Sequence, residues 1–171
     1  MLKSWEEDYV IYDLAVGGED TVVGSCSDHA IRFFHFDDGA SDAVSERASI
    51  TGLTVSADRK QVLVNLCSQD CQEIHLWDIE SRSLIGSYVG HQQEKYVIRS
   101  GFGGDNEAFI ASGSEDQKIY VWHRERGTLL GSLAGHSGMV NSVSWNPKDT
   151  SMLASASDDQ TIRIWVSELN A

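Results

Sequence analysis

Residues Gly135–Trp165 read GHSGMVNSVSWNPKDTSMLASASDDQTIRIW. Asp159 lies six residues before Trp165, and Ser155 four before Asp159. Gly135-His136 precedes that tryptophan by 29–30 residues. A Ser, a His and an Asp together invite a hydrolase reading. The same set stands upstream: Gly90-His91, Ser112, Asp116 and Trp122. A catalytic triad needs an exposed nucleophile beside its base and an oxyanion hole. A set that recurs once per unit of chain serves structure instead, so no catalytic residue is assigned.

The repetition extends along the chain. Four segments share Ile, any residue, an apolar residue and an aromatic: AIRFFHF from Ala30, EIHLWDI from Glu73, KIYVWHR from Lys118 and TIRIWVS from Thr161. Their aromatics, Phe34, Trp77, Trp122 and Trp165, are 43, 45 and 43 residues apart. Two further short apolar runs precede each, with turn-formers between them: Gly17-Gly18, Ala57-Asp58, Gly103-Gly104-Asp105 and Asn146-Pro147. In two repeats a fourth run follows, LIGSYVG or TLLGSLAG. Short β-branched runs bounded by turn signals predict strands. Four strands per 43–45 residues is the period of a β-propeller blade. The expected fold is all-β, a propeller of about four four-stranded blades over 1–45, 46–89, 90–134 and 135–171.

Composition narrows the function classes. The 171 residues are 41% hydrophobic and 23% charged, ordinary for a globular domain. No apolar run approaches the roughly 20 residues of a membrane helix. The N-terminal MLKSWEEDYV lacks an apolar signal core, which predicts the cytoplasm or nucleus. Cys26, Cys67 and Cys71 are an odd number with no Cys-x-x-Cys pair, so neither a disulfide framework nor a zinc site is expected. A net charge of −13 argues against nucleic acid and anionic lipid and for basic protein partners. His29, His35, His75 and His123 share no metal-like spacing and are read as surface or strand histidines. No metal and no cofactor is expected. The Gly101–Asp105 stretch GFGGD is a turn, because no Gly-Lys-Ser/Thr follows. Asp37–Arg47, DDGASDAVSER, reads as a solvated loop, with phosphorylation of Ser41 or Ser45 as an alternative. Trp5 and Trp145 are expected to pack, with a peptide-contact role as the alternative.

The Gly-His, Ser-Asp and Trp pattern resembles the WD-repeat family. The resemblance implies a hydrogen-bonded chain inside each blade: Asp accepting from the His imidazole, His meeting the Ser hydroxyl, and Ser meeting the Trp indole. Such a tetrad is expected from His91, Ser112, Asp116 and Trp122, and again from His136, Ser155, Asp159 and Trp165. The residue before the tetrad Asp is expected at the narrower face of the propeller. Those residues are Ser27, Asp70, Glu115 and Asp158, three of them acidic. That face is the candidate site for a basic peptide segment.

The first two repeats depart from the pattern. The first keeps Asp28 but has Phe34 for Trp and Ser4-Trp5 where Gly-His belongs. The second keeps Trp77 but has Cys71 for the tetrad Asp and Glu46–Ala48 where Gly-His belongs. Apolar packing is expected to hold these blades, which makes them the softer part of the chain.

The phrases QEIHLWDI, VIRSGFGG, FIASGSED, YVWHR and VNSVSWNP are similar to the WD-repeat subunit of CTLH/GID-type ubiquitin ligases. That likeness implies a non-catalytic scaffold with ligase subunits as partners, presenting substrates for degradation. A generic WD-repeat adaptor in a signalling or chromatin assembly is the alternative. The family has seven blades and a LisH-CTLH helical region, and four repeats predict an open half-ring or a fragment. The only sequence that could add a fourth strand to the last blade is Met1–Lys3. Open end faces predict self-association or a docked partner.

Overall fold

The computed structural model describes residues 3–5 and 8–167. Its strands form four antiparallel sheets in chain order. The first holds β1 (Ile11–Gly17), β2 (Thr21–Cys26), β3 (Ala30–His35) and β4 (Ser41–Ser45). The second holds β5 (Ser49–Val55), β6 (Gln61–Cys67), β7 (Glu73–Asp78) and β8 (Leu84–Val89). The third holds β9 (Ser100–Gly103), β10 (Phe109–Ser112), β11 (Lys118–His123) and β12 (Leu129–Ala134). The fourth holds β13 (Val140–Trp145), β14 (Met152–Ser157) and β15 (Ile162–Val166).

Within each sheet every strand pairs with its chain neighbours, as short connections favour, and one parallel bridge, Arg99↔Ser142, joins the chain just before β9 to β13. Gly18 takes φ +59 at the β1–β2 turn. Between β5 and β6 the Asp58 carboxylate accepts from Ser56 Oγ and the Lys60 amide. Between β13 and β14 Asn146 Oδ1 accepts from the amides of Lys148 and Asp149. The stretch Ser41–Ser45, read from sequence as loop, is β4, paired with β3 from Ala30↔Ser45 to Phe34↔Ser41. Its polar residues misled because an outermost strand stays largely exposed.

The sheets stack face to face, with β1 against β5, β5 against β9 and β9 against β13. A core cluster fills each seam. Val23, Ile31, Phe33, Val62, Val64 and Leu66 join the first and second sheets. Leu63, Ile74, Leu76, Tyr88, Ile110 and Trp122 join the second and third. Ala111, Ile119, Val140, Val143 and Leu153 join the third and fourth. β6 feeds both of its seams, Val62, Val64 and Leu66 on one side and Leu63 on the other. That is why residues 62–66 of β6 are buried one after another, Asn65 included. The end sheets have one covered face each. Tyr12, Leu14 and Val16 of β1 are 66%, 58% and 54% exposed, and Ile162, Ile164 and Val166 of β15 are 75%, 58% and 56% exposed. The result is a partial, open propeller.

Of the stretch expected to complete the last blade, Met1 and Leu2 lie outside the described residues. Lys3 lies on the first sheet, donating to the carbonyl oxygens of Phe36 and Asp37. Trp5 follows it there, donating its indole N–H to Gly39 O at 3.0 Å, its ring 5.4 Å from that of Phe34.

Candidate functional site

The fourth sheet assembles its tetrad. Trp165 on β15 pairs with Leu153, and Arg163 with Ser155, so Trp165 and Ser155 lie on one side of the sheet. Trp165 Nε1 donates to Ser155 Oγ at 2.8 Å. Ser155 Oγ lies 2.7 Å from His136 Nε2, and His136 Nδ1 lies 2.8 Å from Asp159 Oδ2. Ser155 has one hydroxyl proton, so it donates to Nε2 and His136 donates from Nδ1. Thr161 Oγ1 and the Ser137 amide also donate to Asp159. The Thr161 hydroxyl, the Ser137 amide and His136 hold the Asp159 carboxyl far below the usual carboxylate range. Gly138 permits the turn, since a Cβ there would sit 2.6 Å from the Asp159 nitrogen. Ser155 is 2% exposed and both of its hydrogen-bonding functions are engaged. This geometry gives a substrate no path to the hydroxyl.

The third sheet has the same residues and a different outcome. The tetrad expected of His91, Ser112, Asp116 and Trp122 does not close. Trp122 Nε1 donates to Val89 O at 2.9 Å, and Ser112 Oγ to Gly113 O at 3.0 Å. Asp116 Oδ2 accepts from Tyr120 at 2.8 Å. His91, 3% exposed, lies within hydrogen-bonding geometry of no partner among the described residues at either ring nitrogen. Burial pushes it down to about 4, and the nearby Asp116 charge and Gln93 amide do not offset that. The cause lies in the connection. His91 stands 21 residues before Ser112, where His136 stands 19 before Ser155. The longer segment is plugged inward by Gln93, 0% exposed, whose Nε2 donates to Thr51 Oγ1 at 2.8 Å and Tyr96 O at 2.9 Å.

The second sheet replaces the tetrad. Glu46 takes the place of the His, and its Oε1 accepts directly from Trp77 Nε1 at 2.7 Å. His75 on β7 lies 2.9 Å from the same oxygen. The expectation that this blade rests on apolar packing alone is corrected: a buried acid supplies the polar network. His75, read from sequence as a surface or strand histidine, is 6% exposed. The second sheet is also buried on both faces, whereas the first and fourth each leave one bare. Position along the stack, not motif quality, sets enclosure. In the first sheet Asp28 forms a two-pronged pair with Arg32 at 2.8 and 2.7 Å, which pulls its carboxyl down to about 2.

Ser27, Asp70, Glu115 and Asp158 all occupy turns between second and third strands, at one end of the stack. Asp70 and Asp158 are exposed. Asp158 Oδ1 accepts from Asn141 Nδ2 at 2.7 Å, and exposed Ser27 accepts from the Val10 amide at 3.1 Å. Glu115 is not free. Its Oε1 accepts from three successive amides, Glu94, Lys95 and Tyr96, at 2.8, 2.9 and 3.2 Å. Consecutive N–H groups make an anion cradle, and Glu115 fills this one. The same loop leaves Tyr96 and Val97 54% and 56% exposed next to Glu115. Sequence reasoning missed them; the longer 45-residue spacing was the available signal. Among the described residues no group of three His, Cys, Asp or Glu could hold a metal ion.

The WD domain, G-beta repeat family model matches residues 82–123 and 127–166. The chain is 47% identical to the WD repeat-containing protein WDS homolog of Arabidopsis thaliana, over 96% of this chain and 32% of that protein. It is 40% identical to the WD repeat-containing protein 26 homolog of Drosophila melanogaster, over 96% of this chain and 26% of that protein. It is 37% identical to GID complex subunit 7 of Schizosaccharomyces pombe, over 99% of this chain and 34% of that protein. The chain thus spans about a quarter to a third of these relatives. In fold it is similar to the computationally designed Ika4 protein, TM-score 0.76 at 21% identity, over 94% of this chain and 93% of that one. Against the designed Ika8 protein the TM-score is 0.75 at 21% identity, over 92% of this chain and 46% of that one.

Proposed function

The chain belongs to the WD-repeat family, and on that premise we propose that it is a non-catalytic scaffold within a CTLH/GID-type ubiquitin ligase, in the cytoplasm or nucleus. It joins ligase subunits and helps present substrates. The supporting observation is the likeness, across nearly the whole chain, to GID complex subunit 7 and to WD repeat-containing protein 26 homologs. The geometry agrees: Ser155, His136 and Asp159 are spent inside the sheet, so the surface is what remains for recognition.

The recognition surface is the end bearing Asp70 and Asp158, with Tyr96 and Val97 as an apolar foothold and Glu115 as a support for their loop. A Lys/Arg-bearing segment fits this charge. The bare faces of the first and fourth sheets meet other protein surface, whether further blades, ligase subunits or a second copy.

Co-purification of the tagged chain with GID-type subunits tests the ligase reading. Recovery of a different assembly, without those subunits, would make the chain a generic WD-repeat adaptor. Asp70→Lys with Asp158→Lys should weaken capture of the basic segment about tenfold and flatten its salt dependence, as expected for exposed charges. Unchanged capture moves the site to the outer strands.

A further inference from the structure

The second sheet holds buried charge that a scaffold does not need. His75 Nδ1 lies 2.9 and 3.0 Å from the two Glu46 oxygens, and Nε2 lies 3.1 Å from Glu73 Oε2. Glu46 comes from the linker between β4 and β5 and its side chain is 4% exposed. Glu73 also accepts from Ser87 Oγ of β8 at 2.8 Å and from the Arg47 guanidinium. Arg47 Nε reaches Cys71 Sγ at 3.2 Å. Across the seam, His91 of the third sheet feels the Glu73 charge.

A carboxylate only accepts hydrogen bonds, and a neutral imidazole has one donor and one acceptor. With carboxylates on both sides, a neutral His75 sets a ring lone pair against a carboxylate lone pair. The imidazolium satisfies both. Charge balance requires the same state. Glu46 and Glu73 are matched by Arg47 and a charged His75; without the proton one negative charge is left buried and unmatched, which is costly.

We propose that His75 carries a structural proton, held between Glu46 and Glu73, that pins the linker joining the first and second sheets and is released as pH rises. Burial opposes charging His75, but the Glu46 and Glu73 contacts outweigh it and raise it above its ordinary 6.5. A histidine raised in the folded state contributes stability that is complete below its unfolded value. That stability is lost as pH rises through the folded midpoint. Deprotonation then frees Glu46, which also holds the Trp77 indole, and the residues 46–48 loosen from the second sheet.

The test is a pH titration of the full chain with ring-labelled histidine, followed by nuclear magnetic resonance. Both His75 nitrogens should carry protons at pH 6.5, with a midpoint above that value. The Trp77 indole N–H should shift with the same midpoint. Glu46→Gln should lower that midpoint by about one to three pH units, the usual effect of removing an adjacent opposite charge. His75→Gln should make the Trp77 resonance insensitive to pH. A single protonated nitrogen at pH 6.5, or a Trp77 resonance indifferent to His75, would overturn the proposal. The unsubstituted chain decides this by itself, so failure of either variant to fold leaves the test intact.

Discussion

In the fourth sheet His136 lies 2.7 Å from Ser155 and 2.8 Å from Asp159. In the third sheet His91 is buried as deeply, in a motif of the same four residue types, and has no hydrogen-bond partner among the described residues. Ser112 and Ser155 stand at equivalent ladder positions, opposite Tyr120 and Arg163. The strands therefore do not distinguish the two sites. The connections do: two extra residues before β9 let Gln93 plug the seam and let Glu115 cap the loop, while Asp116 goes to Tyr120. Residue identity specifies which bonds are available, and segment length specifies which of them are made. The second sheet extends the lesson. It has neither the Asp nor the Ser of the motif, yet Glu46 satisfies its tryptophan at 2.7 Å. What each sheet must do is satisfy a buried polar indole, and three different solutions occur in one chain.

The comparison breaks most directly by substitution. His136→Ala should destabilise the fold by about 1–3 kcal/mol, because Ser155 and Asp159 lose a buried partner. His91→Leu should be neutral or stabilising in the same denaturant titration, since it removes a buried polar group that bonds nothing. Equal losses at the two positions would mean that His91 is bonded in solution and that the sheets are alike.

A second difference lies in pH. Burial holds His91 near 4, against an ordinary 6.5. Between those values the unfolded chain binds a proton that the folded chain refuses, so folding stability falls as pH is lowered through that window. The slope from this group is about 1.4 kcal/mol per pH unit. In His91→Leu that contribution should vanish from the stability profile. A profile identical to that of the unsubstituted chain would mean His91 charges freely when folded.

The smallest effect is expected at the loop that keeps the third sheet apart. Glu115→Ala should cost about 1 kcal/mol, the scale of hydrogen bonds to a partly exposed charge. It should also raise amide hydrogen exchange at Glu94, Lys95 and Tyr96 while leaving the strands protected. Exchange unchanged at those amides would show that the backbone holds the loop without the carboxylate.

Much of this was legible from residues. The 43–45-residue spacing of Phe34, Trp77, Trp122 and Trp165 placed the third strand of each sheet, and the turn-formers separated the first strand from the second. Two of the three outermost strands among the described residues, β8 and β12, follow directly from the repeat, but β4 did not, since SDAVS lacks the apolar face that marks its counterparts. Of the two tetrads read from sequence, one is assembled. Of the four residues placed at the narrower end, Glu115 is committed to its own loop.

The sequence by itself determined the all-β repeat and the places of its turns. Alternation and turn chemistry act within a few residues, where no distant contact is needed to decide them. Only the tertiary structure decided which polar groups meet. Glu46 reaches Trp77 31 residues away, Asp13 reaches Arg99 86 residues away, and His91 hydrogen-bonds to no described residue. Hydrogen bonds depend on distances of a few tenths of an ångström. Those distances are set by how a two-residue difference in a connection is absorbed between packed sheets, which no spacing of motif residues records.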